Sequence, residues 1–133
     1  MNLNLLRLAI FMFGSLLIST PLTAHHSFMG EYNLSKPILL TGTVTRVEWA
    51  NPHISFEIEV RDITGTITHW TVEAASPTAL SGRGWTSTTL KVGTVVAVQA
   101  FPAKKGRPFA AAQTVTLVDG RTLSAESDGV RPE

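Results

Sequence analysis

Ile54, Phe56, Ile58 and Val60 alternate with Ser55, Glu57, Glu59 and Arg61. That period of two predicts a strand with one buried and one wet face. "DITG", residues 62–65, reads as a hairpin turn, and "TITHWTVEAA" as the returning strand. In it Trp70 and Val72 fall on the face of Ile58, while His69, Thr71 and Glu73 fall on the outer face near Glu57 and Glu59. Upstream, "ILLTGTVTRVEW", residues 38–49, is β-branched and long for one strand, and Gly42 within it predicts a bulge or sharp bend. Asn51-Pro52 marks the turn between these two strands.

Further along, Ser76 is an N-cap candidate with Pro77 at the first helical position. Gly82 and Gly84 limit that helix to one or two turns. "TVVAVQAF", 94–101, and "FAAAQTVTLVDG", 109–120, predict two more strands, with "RTL" pairing briefly afterwards. The order strand, strand, strand, short helix, strand, strand predicts an all-β fold: a five-stranded OB-like Greek-key barrel with one short helix between strands 3 and 4. A small sandwich or roll uses the same strands and is the alternative.

The N-terminus breaks the β pattern. "MNLNLLRLAIFMFGSLLISTPLTA" places Arg7 before an 11-residue apolar run, Leu8–Ile18, interrupted only by Gly14 and Ser15. A membrane-spanning helix needs about 20 residues, so a signal-peptide core is the better reading. Ala24 is the best residue to precede the cut, with Leu22 two positions earlier. The organisation expected is a signal peptide at 1–24, an arm at 25–37 laid on the domain through Phe28 and Tyr32, the barrel at 38–123, and a frayed tail at 124–133. The location expected is periplasmic or secreted, with no membrane anchor after cleavage.

The 133 residues less the 24 of the leader leave 109, enough for one domain with a modest core. Losing Arg7 from 11 basic residues leaves ten, against ten acidic ones. That neutrality gives no electrostatic case for nucleic acid. The one basic cluster, "KKGR" at 104–107, lacks outward aromatics for base stacking. No cysteine is present, so packing alone must hold the fold.

The candidate chemistry lies in histidines. Cleavage after Ala24 makes His25 the terminal residue, and its α-amine and imidazole then chelate one ion together. A third nitrogen from another histidine completes a T-shaped site suited to copper, which favours nitrogen ligands. Cleavage one residue earlier gives Ala24-His25-His26, a square-planar Cu(II) or Ni(II) sequence. His26 and His53 are the candidate further ligands, His53 standing on the loop that borders the usual ligand face of OB barrels. The plainer readings are a solvated arm for His25 and His26, and a backbone-bonded ring for His53. His69 is either a binding residue or a cross-strand partner of the neighbouring glutamates.

Trp49 is a candidate pocket wall and Asn51 a binding or turn-capping residue. Trp70 is assigned to the core and Trp85 to a barrel end. No nucleophile motif, P-loop or His-Glu-x-x-His is present, so no catalytic residue is assigned. An open copper position would permit oxidative chemistry, but binding or delivery fits a domain with no substrate groove. The rival function is a non-metal envelope module that holds a protein or glycan at the 49–53 and 102–108 loops.

"AHHSF", "LTGTVTRVEWANPH" and "SPTAL…GW…LKVGTVVAV" together resemble a family of small exported bacterial proteins of unknown function. The resemblance implies export and an OB-type barrel, and implies no activity. A looser likeness is to small periplasmic copper chaperones with an OB-type barrel, which bind Cu(I) through His, Met and a Trp ring. Trp49 and His53 correspond in residue type. Only Met29 stands beyond the leader, which favours nitrogen ligands and Cu(II) over a thioether site.

Overall fold

The computed structural model describes residues 30–127. Six strands and one short helix follow the order β1 (Ile38–Glu48), β2 (Ser55–Arg61), β3 (Ile67–Glu73), α1 (Pro77–Ser81), β4 (Val95–Pro102), β5 (Phe109–Thr116) and β6 (Thr122–Ser124). The sheet runs β3-β2-β1-β4-β5-β6, and a parallel pairing of β3 with β5 closes its first five strands into a barrel. The OB-like barrel predicted from the strand order is the fold, with α1 between strands 3 and 4. Among the described residues no helix is long and apolar enough to cross a membrane.

β1 serves two neighbours. Its first half, Ile38–Thr43, pairs with β4, and its second half, from Thr43 to Glu48, pairs with β2. Two features let it turn between them. The β1–β2 register slips between Val44 and Arg46, where the extra Thr45 bulges out and increases the local twist. Gly42 is buried where the backbones come closest: a Cβ there would lie 2.5 Å from the Glu59 carbonyl oxygen. The bend expected in this strand is therefore divided, with the close approach at Gly42 and the bulge beyond it.

The interior is filled from β1 to β5 by Leu40, Val44, Phe56, Ile58, Val72, Val96, Val98 and Val115. Each such side chain contributes roughly 1.5–3 kcal/mol when fully buried. α1 starts as its sequence predicts: Ala79 N–H donates to Ser76 Oγ at 3.2 Å, with Pro77 in the first turn. It carries Leu80 into the core. Trp85 is buried with it and donates its indole N–H to the Ser124 carbonyl at 2.9 Å. Trp70 shares the inner face with Ile58, but it is only half-buried against the core.

A second, smaller apolar cluster lies apart from this core. Tyr32, Phe101, Ala103 and Ala111 form it, with Leu34 and Phe109 at its margin. Tyr32 comes from the segment before β1, so residues 31–34 lie over the outside of β4 and β5. Asn33 N–H donates to the Pro102 carbonyl, and Lys104 N–H to the Glu31 carbonyl, both at 2.8 Å. The far end of the chain is also held. Where the sequence predicts fraying from Ser124 onward, Ala125 is fully buried and exchanges backbone bonds with Gln113 and Ala75. Ser127 Oγ donates to the Ala74 carbonyl. These contacts seat the tail through Ser127 in the gap beside β3 and β5.

Candidate functional site

His53 ends the loop between β1 and β2, one residue before the buried Ile54. Ile54 exchanges backbone hydrogen bonds with Ala74 and Ala75, which extends the β2–β3 ladder past its formal end. That pairing fixes His53 on the outer face, diagonal to Glu73, which stands opposite Ser55. His53 Nδ1 pairs with Glu73 Oε1, and the imidazole is 36% exposed. The other carboxylate oxygen, Glu73 Oε2, accepts a 2.8 Å hydrogen bond from the Tyr32 hydroxyl. One carboxylate thus holds a loop histidine with one oxygen and the N-terminal arm with the other.

Tyr32 is fully buried at this junction. Its ring stacks on Phe109, with centroids 6.0 Å apart and planes 15° from parallel. Arg107 lies over the other aromatic surface of the group, its guanidinium carbon 5.6 Å from the Phe109 centroid, and it pairs with Glu31 at 2.9 Å. Burial pushes the Tyr32 phenol well above its ordinary range. The hydrogen bond to Glu73 and the Glu73 charge push it further, Glu31 adds to them, and Arg107 opposes. The hydroxyl therefore stays protonated and donates to Glu73.

A neutral imidazole that donates from Nδ1 carries its lone pair at Nε2. This is the tautomer in which a carboxylate-backed histidine ligates a metal. Glu73 was placed by sequence on the wet face beside His69; it does lie on the outer face, but its partners are His53 and Tyr32. His69 stands opposite Glu59, exposed, with no ion pair among the described residues. Trp49 is half-buried against the core. Asn51 is exposed, follows no capping pattern, and precedes Pro52 through a cis peptide. Of the candidates among the described residues, His53 is the one built into a hydrogen-bonded group.

His25 and His26 lie outside the described residues. Among the described residues, no three His, Asp or Glu side chains come together in a group able to hold a metal. Beside the arm, the loop between β4 and β5 borders an open cavity of about 310 Å³, lined by Gly30, Glu31, Ala103, Lys104, Lys105 and Arg107.

Glu73 and Tyr32 are the residues that sequence reasoning did not assign to the site. For Tyr32 the usable signal was in β5: "FAAA" at 109–112 does not alternate, so both its faces must be covered, and the arm is what covers the outer one. No curated protein and no solved structure matches the chain. A family model does match, over residues 15–112, and the chain belongs to DUF6152, a family of unknown function.

Proposed function

We propose that the protein is exported, processed after Ala24, and binds Cu(II) through the α-amine and imidazole of His25, with His53 as the third nitrogen and His26 as a further ligand. The observation that carries this reading is the shared carboxylate. Glu73 pairs with His53 Nδ1 through one oxygen, and through the other it holds Tyr32, seven residues after His25. Seven extended residues span at most about 24 Å, so docking Tyr32 keeps the terminal amine within range of His53. Tethering of this kind raises the effective concentration of the second ligand. A nitrogen-only set with tetragonal preference selects Cu(II) over harder ions.

Calorimetric titration of the processed protein with Cu(II) tests the proposal. One ion binds tightly per chain, and both His53→Ala and acetylation of the terminal amine weaken binding by at least tenfold. Unchanged affinity in both overturns it. A second reading, an envelope protein or glycan held at this face, draws on the open cavity beside Lys104 and Lys105. A partner captured by the processed protein in the presence of chelator, and lost on Lys104→Glu, would favour that reading instead.

A further inference from the structure

We infer that the cavity beside the β4–β5 loop is a binding site for a phosphate group, held by Lys104 and Lys105, with Glu31 competing for Arg107. Copper has no part in it. The cavity measures about 310 Å³ and is lined by Gly30, Glu31, Ala103, Lys104, Lys105 and Arg107. Three cationic residues against one anionic residue leave a local excess of two positive charges, in a chain whose formal net charge is +1.

The loop that carries the cations is fixed at its base. Ala103 N–H donates to the Phe109 carbonyl and Lys104 N–H to the Glu31 carbonyl, both at 2.8 Å. Gly106 makes the reversal between Lys105 and Arg107 at φ 69°. The three cations are not equivalent. Arg107 is occupied, since it pairs with Glu31 at 2.9 Å and covers Phe109. The Lys104 and Lys105 side chains are exposed, and neither ammonium has an ion pair or hydrogen bond among the described residues.

An ammonium is a compact point charge that suits phosphate, whereas a carboxylate is best met by an arginine fork. With that fork engaged by Glu31, the free groups select phosphate over carboxylate. A cavity at the low end of ligand-pocket size admits one phosphate and the small group that bears it. Phe109 is taken by Tyr32 and Arg107, so it offers no ring to a nucleobase.

The test titrates the processed protein with inorganic phosphate and with glycerol 3-phosphate, in chelator and at constant ionic strength, and follows the backbone amides of residues 104–107 by NMR. Both probes shift these amides saturably, while chloride at equal ionic strength does not. Lys104→Gln combined with Lys105→Gln weakens binding at least about tenfold. Glu31→Gln tightens it by about twofold to fivefold, because a like charge is removed and Arg107 is released. Gly30→Leu keeps every charge and weakens binding, since a Cβ at Gly30 meets nothing within 4 Å and the larger side chain adds bulk to the cavity wall. Co-sedimentation with phosphatidylglycerol vesicles separates the sources: binding tighter than that of glycerol 3-phosphate marks a lipid headgroup, the reverse order marks a soluble phosphate ester, and either order supports the site.

No saturable shift in the wild type, or shifts that survive both the paired lysine substitution and Gly30→Leu, overturns the site. A protein partner captured at this face with no phosphate binding favours the second functional reading and also overturns it. Because chelator excludes copper, failure here leaves the copper titration standing, and failure there leaves this site standing.

Discussion

The outer faces of the barrel are of two kinds. Around the β2–β3 hairpin, the outward positions are Glu57, Glu59, His69 and Thr71, and water covers them. Ion pairs there, Arg46 with Glu57 at 3.4 Å and Arg61 with Glu59 at 3.7 Å, are exposed. Around β4 and β5 the outward positions are Phe101, Ala111 and Phe109, and the arm covers them through Tyr32. The first face needs nothing beyond the strand itself. The second needs another segment of chain, and where the two faces meet, at Glu73, the protein places a carboxylate-backed histidine, His53. A barrel this small gains a site by letting a covering segment end on a polar group rather than on more apolar surface.

Substitutions separate the interior from the covered face. Phe56→Ala empties the main core and lowers unfolding free energy by about 4–5 kcal/mol, read by denaturant melts of the whole domain. Phe101→Ala strikes the outer cluster, where the arm can settle inward. Its cost is nearer about 3 kcal/mol, and hydrogen exchange at the Asn33 and Lys104 amides quickens before the barrel opens. If Phe101→Ala exposes the interior strands as readily as Phe56→Ala does, the arm is part of the core and the distinction fails.

Alkaline pH acts on the covered face through Tyr32. Tyr32 is the only tyrosine of the chain, and burial beside Glu73 raises its phenol above the ordinary value of about 10. Below that value the phenol is protonated in both folded and unfolded chains, and its contribution to stability is complete. Above it the unfolded chain releases the proton while the folded chain keeps it, so stability falls as pH rises. Phenolate absorbance and melts between pH 9 and 12 (roughly the range set by the ordinary phenol value) should show this slope in the wild type and not in Tyr32→Phe. The smallest effect belongs to the wet face: Arg46→Ala, which removes exposed pairs with Glu48 and Glu57, changes stability by less than about 0.5 kcal/mol.

The contrast also explains what could be read from the chain. Alternation announces strands with a wet face, so Ile54–Arg61 and the Trp70–Val72 face were legible from periodicity, and Ser76-Pro77 announced α1. Their order was enough to predict the barrel, because short connections leave few ways to close five strands. The bulge after Gly42 was legible as a bend but not to the residue, since its place depends on the β1–β2 register. The carboxylate site was not legible. His53 and Glu73 lie 20 positions apart in sequence and meet only as diagonal neighbours in one register. Tyr32 reaches them along a segment with no period at all. Residues 125–127 were read as frayed because small and polar side chains carry no pattern. Their anchoring comes from backbone bonds to the Gln113 bulge and to Ala75, which no composition reveals.

The most direct measurement is pulsed electron paramagnetic resonance of the processed protein loaded with one Cu(II), with nitrogen-15 confined to histidine side chains. The account predicts coupled imidazoles from His25, His26 and His53, one of which disappears in His53→Ala while the His25 signal remains. A spectrum identical in wild type and His53→Ala, or one showing copper bound only by the terminal peptide, would contradict it.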